Sequence, residues 1–221
     1  MSRQDNIEAP APFRLAADEH GLGAVLRMMQ STSVIDSIRG KFLVIGVHEQ
    51  GAVIGFANDP EPFAFRFDTV ETFIHQAVAK YVNGGYLYTD TTCWLTLSDG
   101  RSYRVKGRSG GSERHIVEDF RDVADRRIAM IQFPRAQASL RAGKTVQFGR
   151  IAAGPDGLSV PKLFGRTKTL AWAGIDKLEL KSGYVRIKAK DRRRAWTAEP
   201  IETVPNVTTL ASLIHAASSA A

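Results

Sequence analysis

Apolar residues recur at every second position over most of this chain, and at every third or fourth over a few shorter stretches, so alternation dominates the pattern. From Lys41, KFLVIGVHEQGAVIGF reads as two apolar runs joined at Glu49-Gln50-Gly51, which predicts a hairpin. Asp59-Pro60-Glu61-Pro62 breaks the chain, after which Phe63, Phe65 and Phe67 share one face of a strand. The next segment fits two periods: Val70, Phe73, Ile74 and Val78 suit a helix, but strands flank it and it ends in Asn83-Gly84-Gly85, which favours a strand. Tyr86, Tyr88, Trp94 and Thr96, then Tyr103 and Val105, flank Ser98-Asp99-Gly100 and predict a second hairpin.

Helical spacing appears in four places. Leu22, Val25, Leu26 and Met29 predict a short amphipathic helix within residues 1–40, behind a polar tail marked by Pro10 and Pro12. Residues 31–40 form a connector. Ser112 is placed to cap a longer helix with Glu113 in its first turn, and Ile116, Phe120, Val123 and Ile131 form its stripe. Pro134 ends or restarts that helix, and a further helical segment closes at Gly143. Strands then return over TVQFGRIAA, GLSV, KTLAW, DKLELKSGYVRIKAK and RAWTAE, with a turn at Lys181-Ser182-Gly183. A last helix, capped by Asn206, buries Val207, Leu210, Leu213 and Ile214. Trp94, Trp172 and Trp196 are expected to anchor the core.

The order strands then helix occurs twice, and the two runs share register. HEQGAVIGF aligns with GPDGLSVPK, so Gly51 matches Gly157; Phe65, Phe67, Val70 and Phe73 match Leu170, Trp172, Ile175 and Leu178. A common glycine, a common aromatic and a closing helix point to internal duplication.

Composition adds charge. The chain of 221 residues has a formal net charge of +7, spread as −1 over residues 1–110 and +8 over residues 111–221. That imbalance suits either an anionic partner for the second half or simple solubility. The single cysteine, Cys93, excludes an internal disulfide, the opening residues lack a secretory apolar core, and no long apolar run is present; a cytoplasmic location is expected.

Most enzymatic signatures are missing. Ala138 stands where a phosphate loop beginning before AGKT would need glycine, His20, His48, His75, His115 and His215 are scattered away from metal-ligand spacing, and there is no nucleophile elbow. No catalytic residue, metal or cofactor is assigned. Two binding candidates stand out. Arg186, Lys188, Lys190, Arg192, Arg193 and Arg194 crowd one strand and its turn, where they either protect a sheet edge or bind acidic lipid head groups, nucleic acid or an acidic protein. Arg108, Gly110, Gly111, Ser112 and Arg114 form a glycine-rich turn at a helix start that could hold an anion, or could simply link two elements. Tyr184 and Trp196 are the only aromatics near the basic run, which disfavours nucleic acid.

YVNGGY followed by LTLSDG, then LRAGKTVQFG, GLSV, LAW and VPN, resembles an uncharacterised bacterial family, a domain of unknown function with two tandem pleckstrin-homology-like (PH-like) halves. The resemblance runs from about Leu43 to Ile214. It implies an α+β protein of two PH-like units, each a bent antiparallel sheet closed by a C-terminal helix: residues 41–143 with the connecting helices, then residues 144–221. The expected role is a non-enzymatic binding or scaffolding module for a protein or an anionic lipid surface, with a homo-oligomer also compatible. The competing expectations are an enzyme with a site between the two halves and a weak nucleic-acid binder.

Overall fold

A computed structural model describes residues 2–5, 7–32, 42–110, 115–162, 166–190 and 192–219. It is a mixed α+β structure of four antiparallel sheets. The first sheet runs in order β1 (Ser2–Asp5), β2 (Val25–Thr32), β3 (Leu43–His48), β4 (Gly51–Phe56) and β5 (Phe63–Arg66). The second is a meander of β6 (Val70–Val82), β7 (Gly85–Leu97) and β8 (Ser102–Ser109). The third holds β9 (Val146–Phe148), β10 (Ile151–Gly154), β11 (Gly157–Pro161) and β12 (Thr167–Ala171); the fourth is β13 (Ile175–Lys181), β14 (Tyr184–Ala189) and β15 (Ala195–Pro200). The helices are α1 (Ala11–Glu19), α2 (Ile116–Arg141) and α3 (Val207–Ser219).

The chain divides into two compact units, one of residues 1–72 and 77–124, the other of residues 73–76 and 125–221. In the first unit β3 is buried on both faces, which explains why LVIGV does not alternate in hydrophobicity. Phe13 and Ala17 of α1 cover one face, together with Leu22, Met28, Val44, Val53 and Ala64. In the second unit Phe148, Ile151, Leu158, Val185, Ile187 and Trp196 pack with Val207, Leu210 and Leu213 of α3.

The same corner is built twice. Arg66 pairs with Gly51, and Ala171 pairs with Gly157. Three residues of 3-10 helix follow each strand, Phe67–Thr69 and Trp172–Gly174, and turn the chain into the next sheet. The Phe67 amide donates to the Gln50 carbonyl at 2.8 Å, and the Trp172 amide donates to the Asp156 carbonyl at 3.2 Å. A Cβ on Gly51 would lie 2.0 Å from the Phe65 carbonyl oxygen; one on Gly157 would lie 2.2 Å from the Leu170 carbonyl oxygen. The glycines are therefore fixed by the close approach of a neighbouring backbone. Two-residue turns at Asn83-Gly84 and Ser182-Gly183, all four residues at positive φ, join β6 to β7 and β13 to β14.

Several sequence expectations are corrected. The segment around Leu22–Met29 is not a helix: Gly21 and Gly23 have positive φ, and Val25–Thr32 joins β3 as a strand. The helix lies earlier, over Ala11–Glu19, with proline in its first turn, where a missing N–H costs nothing. Ser2–Asp5 pairs with β2 instead of forming a loose tail. Helix α2 continues through Pro134; Ile116, Phe120, Ala124 and Ile128, at a spacing of four, are buried, together with Val117, Asp119, Ala129 and Ala136, whereas Val123 and Ile131 are only half-buried. Asn206 stands at the start of α3, its carbonyl accepting the Leu210 amide at 3.2 Å. At φ 54 it also accepts the Phe73 amide through Oδ1 at 2.8 Å and returns its own amide to the Phe73 carbonyl. Of the tryptophans only Trp196 is buried; Trp172 is half-buried, with its indole N–H on the Gly154 and Pro155 carbonyls. Ser112 and most of the connector expected at residues 31–40 lie outside the described residues.

Two stability measurements follow. Gly51→Ala and Gly157→Ala should each lower the urea-unfolding free energy by about 2–4 kcal/mol, because the new methyl group meets backbone that must move. Phe67→Ala should cost about 3–5 kcal/mol, and Trp172→Ala clearly less, because part of its ring already meets solvent. Equal losses for the two aromatic variants would contradict the difference in their burial.

Candidate anion-binding site

In the second unit, β12 and the end of β14 border a cleft of about 470 Å³. Lys162, Lys168, Lys190 and Arg192 line it, with Thr169 and Trp196, and its described lining holds neither histidine nor carboxylate. Local backbone geometry sets each cation. Between β11 and β12 the Lys162 amide donates to the Arg166 carbonyl at 2.7 Å. The Lys190 amide donates to the Gly174 carbonyl at 2.9 Å, pinning the end of β14 to the 3-10 turn. The Arg192 amide closes back on the Ala189 carbonyl at 3.3 Å. Trp196 is an extra residue in β15, since Ile187 pairs with Thr197 and Lys188 with Ala195; the bulge turns its ring into the core.

Lys168 is the electrostatic centre of the cleft. Its Nζ donates to the Trp196 carbonyl and lies 5.0 Å from the centre of that ring. Burial lowers its pKa, and the charges of Lys162 and Arg192 lower it further. Like charges drawn together in a concave site repel one another, so an anion seated among them would be stabilised by all of them.

The first unit fills the equivalent corner differently. Phe63 stands three residues before Arg66 and pairs with Ile54; Lys168 stands three before Ala171 and pairs with Val160. In the first unit Phe63 stacks on Tyr103, the second residue of β8, with ring centres 4.6 Å apart and planes 11° apart. Arg101 lies over Phe63, but Asp99 holds it at 2.7 Å. In the second unit the aromatic is again the second residue of its strand, Trp196, while the residue facing it is a lysine. The fold therefore accepts an apolar stack at this corner and does not require cations there.

The six basic residues read from the sequence divide into groups. Lys190 and Arg192 line the cleft, and Arg193 and Arg194 are exposed in the same turn. Arg186 and Lys188 alternate with buried Val185 and Ile187 on the opposite face of β14. There Lys188 pairs with Glu179 at 3.0 Å, and Lys177 pairs with the same carboxylate at 2.9 Å. Those two ammonium groups hold the Glu179 pKa at about 2. Lys162 and Lys168 were missed because only the tertiary structure brings β12 beside the end of β14, although Lys162, Arg166 and Lys168 are visible as a small basic cluster in PKLFGRTK. At the other candidate site, Arg108 pairs with Asp90 at 2.8 Å and covers the Tyr88 ring at 3.9 Å. Gly110 is described, whereas Gly111, Ser112 and Arg114 lie outside the described residues.

Among the described residues, no three His, Cys, Asp or Glu side chains gather as a metal site would need, and no helix is long and apolar enough to cross a membrane. With this geometry in hand, comparison with known proteins places the chain in a class with an uncharted role. It belongs to a family of unknown function, DUF6585, whose model matches residues 16–221. No curated protein matches it.

Two outcomes test the electrostatics. Lys168→Phe, which copies Phe63 of the first unit, should leave the denaturation midpoint unchanged or raised, with any change in stability within about 1 kcal/mol, because a repelled charge is replaced by an apolar contact. Glu179 has a folded pKa below its ordinary value near 4.5, so its stabilising effect is present above that value and is lost as pH falls towards about 2. Acid-unfolding curves of wild type and Glu179→Gln should therefore differ near neutrality and converge over that window.

Proposed function

We propose that this protein is a non-enzymatic binding module of two PH-like repeats, whose second repeat captures a phosphate-bearing anion in the basic cleft. The observation that carries this reading is the replacement of the Phe63–Tyr103 ring stack by Lys168 beside Trp196, with Lys162, Lys190 and Arg192 converging on the same space. The element order supports the PH-like plan: an antiparallel sheet (five strands in the first unit, four in the second), a 3-10 corner, a three-stranded meander and then a helix, in both cases.

The chemistry of the cleft favours holding over turnover. Its lysines and arginine offer charged donors to phosphate oxygens, with arginine able to bind two at once and Thr169 adding a hydroxyl. Neither a histidine nor a carboxylate stands in the described lining to move a proton at neutral pH. Trp196 is 4% exposed, so its face is closed to a stacking base, which weighs against nucleic acid.

Calorimetric titration with pyrophosphate, and flotation with vesicles of phosphatidylcholine with or without phosphatidic acid, test the reading and separate a free phosphate from a lipid head group. Pyrophosphate or phosphatidic acid vesicles should bind wild type with an affinity that falls steeply with salt. Lys168→Phe and Arg192→Gln should each weaken that binding about tenfold or more, in line with loss of a charge-assisted hydrogen bond. Wild type that ignores both probes, or binding unchanged in the two variants, would falsify the proposal.

A further inference from the structure

The β6–β7 ribbon in the first unit does not fit any role described so far. Thr91 is the first fully buried residue met on β7 when moving inward from its turn, and Gly85 lies six residues before it. At the rise of an extended strand the ribbon reaches about 20 Å beyond that buried position. Every residue from Ala79 to Leu87 is exposed. Four of them are large and apolar: Tyr81 is 64% exposed, Val82 57%, Tyr86 45% and Leu87 51%.

Their arrangement identifies the medium they suit. Tyr81 and Val82 are neighbours on one strand, so they point to opposite faces of the ribbon; the same holds for Tyr86 and Leu87. The Tyr81 and Tyr86 rings meet edge to face at 6.0 Å, which fixes one aromatic face. Val82 and Leu87 form the other. A partner docking from one side would cover one face and leave the second in water. A bilayer surrounds a protruding tip and covers both faces at once. The composition agrees: tyrosine rings seat at the level of lipid head groups, valine and leucine favour the acyl region, and Lys80 can extend to lipid phosphate. No carboxylate occurs from Ala77 to Thr89, so no acidic group opposes approach to lipid phosphates. The Asn83-Gly84 turn, both residues at positive φ, holds the tip as a tight two-residue loop that presents these side chains without first having to order.

We propose that the tip of the β6–β7 hairpin inserts into the interfacial layer of a lipid bilayer and anchors the first unit there through Tyr81, Val82, Tyr86 and Leu87. This anchoring is hydrophobic and does not depend on the anion cleft of the second unit.

The test uses the full chain carrying Val82→Trp, with Leu15→Trp on α1 as an exposed control site. On addition of phosphatidylcholine vesicles the Val82→Trp emission should shift to the blue and be quenched by lipids brominated on the acyl chain, while Leu15→Trp should not respond. A triple variant, Tyr81→Ser, Val82→Ser and Leu87→Ser, should reduce the vesicle-bound fraction about tenfold or more, as expected for loss of three apolar anchors. Its denaturation midpoint should stay at the wild-type value, because all three side chains are exposed. Lys168→Phe should bind neutral vesicles as wild type does, so failure of the anion reading is distinguishable from failure of this one. Three results would overturn the proposal: no response of Val82→Trp to vesicles, binding to acidic vesicles that is insensitive to the triple variant, or a wild-type dimer in light scattering that the triple variant converts to monomer. The last would make the tip an interface between two copies of the chain.

Discussion

Each unit depends on one close approach, that of the glycine opening its second hairpin strand to the backbone of the strand beside it. With only a hydrogen on Gly51 and Gly157, the neighbouring strand can run against the hairpin and leave it through a single 3-10 turn. The amides of Phe67 and Trp172 then reach back to the residue before each glycine and lock the turn. The three-stranded meander, the closing helix and the space between them are all placed by this corner. Because the contact is with backbone, a larger residue cannot be accommodated by a change of rotamer, and the glycine is fixed by geometry.

Once that corner is fixed, the residue three positions earlier faces the second residue of the last strand. In the first unit those two side chains are Phe63 and Tyr103, and they stack on each other. In the second unit they are Lys168 and Trp196, and the space is open and cationic. The two units can thus be compared at the same corner. A charge cluster that the same architecture can replace with two rings is not explained by folding. The lowered pKa of Lys168 indicates that its ammonium is held at an electrostatic cost, which a bound anion would offset.

A different balance applies on the far side of β14. Lys177 and Lys188 share Glu179, so their charges are neutralised locally and the group belongs to the sheet. The contrast shows why counting basic residues along a strand is a poor guide to a binding surface. Alternation sends Arg186 and Lys188 to one side of β14, whereas Lys190 and Arg192, beyond its end, turn to the cleft.

Much of the fold is readable in the residues themselves. Turns at Asn83-Gly84, Asp99-Gly100 and Ser182-Gly183 mark hairpins because their backbone conformations favour those residue types, and the matched register of Gly51 with Gly157 marks the corner that both units build. The β6 segment, ambiguous by period, follows its turn and its neighbours into a strand. Local pattern failed where long-range pairing decided the outcome. Val25–Thr32 has helical spacing but becomes a strand because β3 offers it a ladder of hydrogen bonds, and Asn206, at the start of α3, also binds Phe73, 133 residues away in sequence, a contact that no local pattern shows. The cleft is of the same kind. Lys190 and Arg192 could be proposed from a charge run, but Lys162 and Lys168 join them only because the tertiary fold brings β12 and Lys162 beside the end of β14. Sequence periodicity records which side of its own element a residue occupies. Which elements face one another is set by the packing of the whole unit, and that packing is what gathers Lys162, Lys168, Lys190 and Arg192 around one cleft.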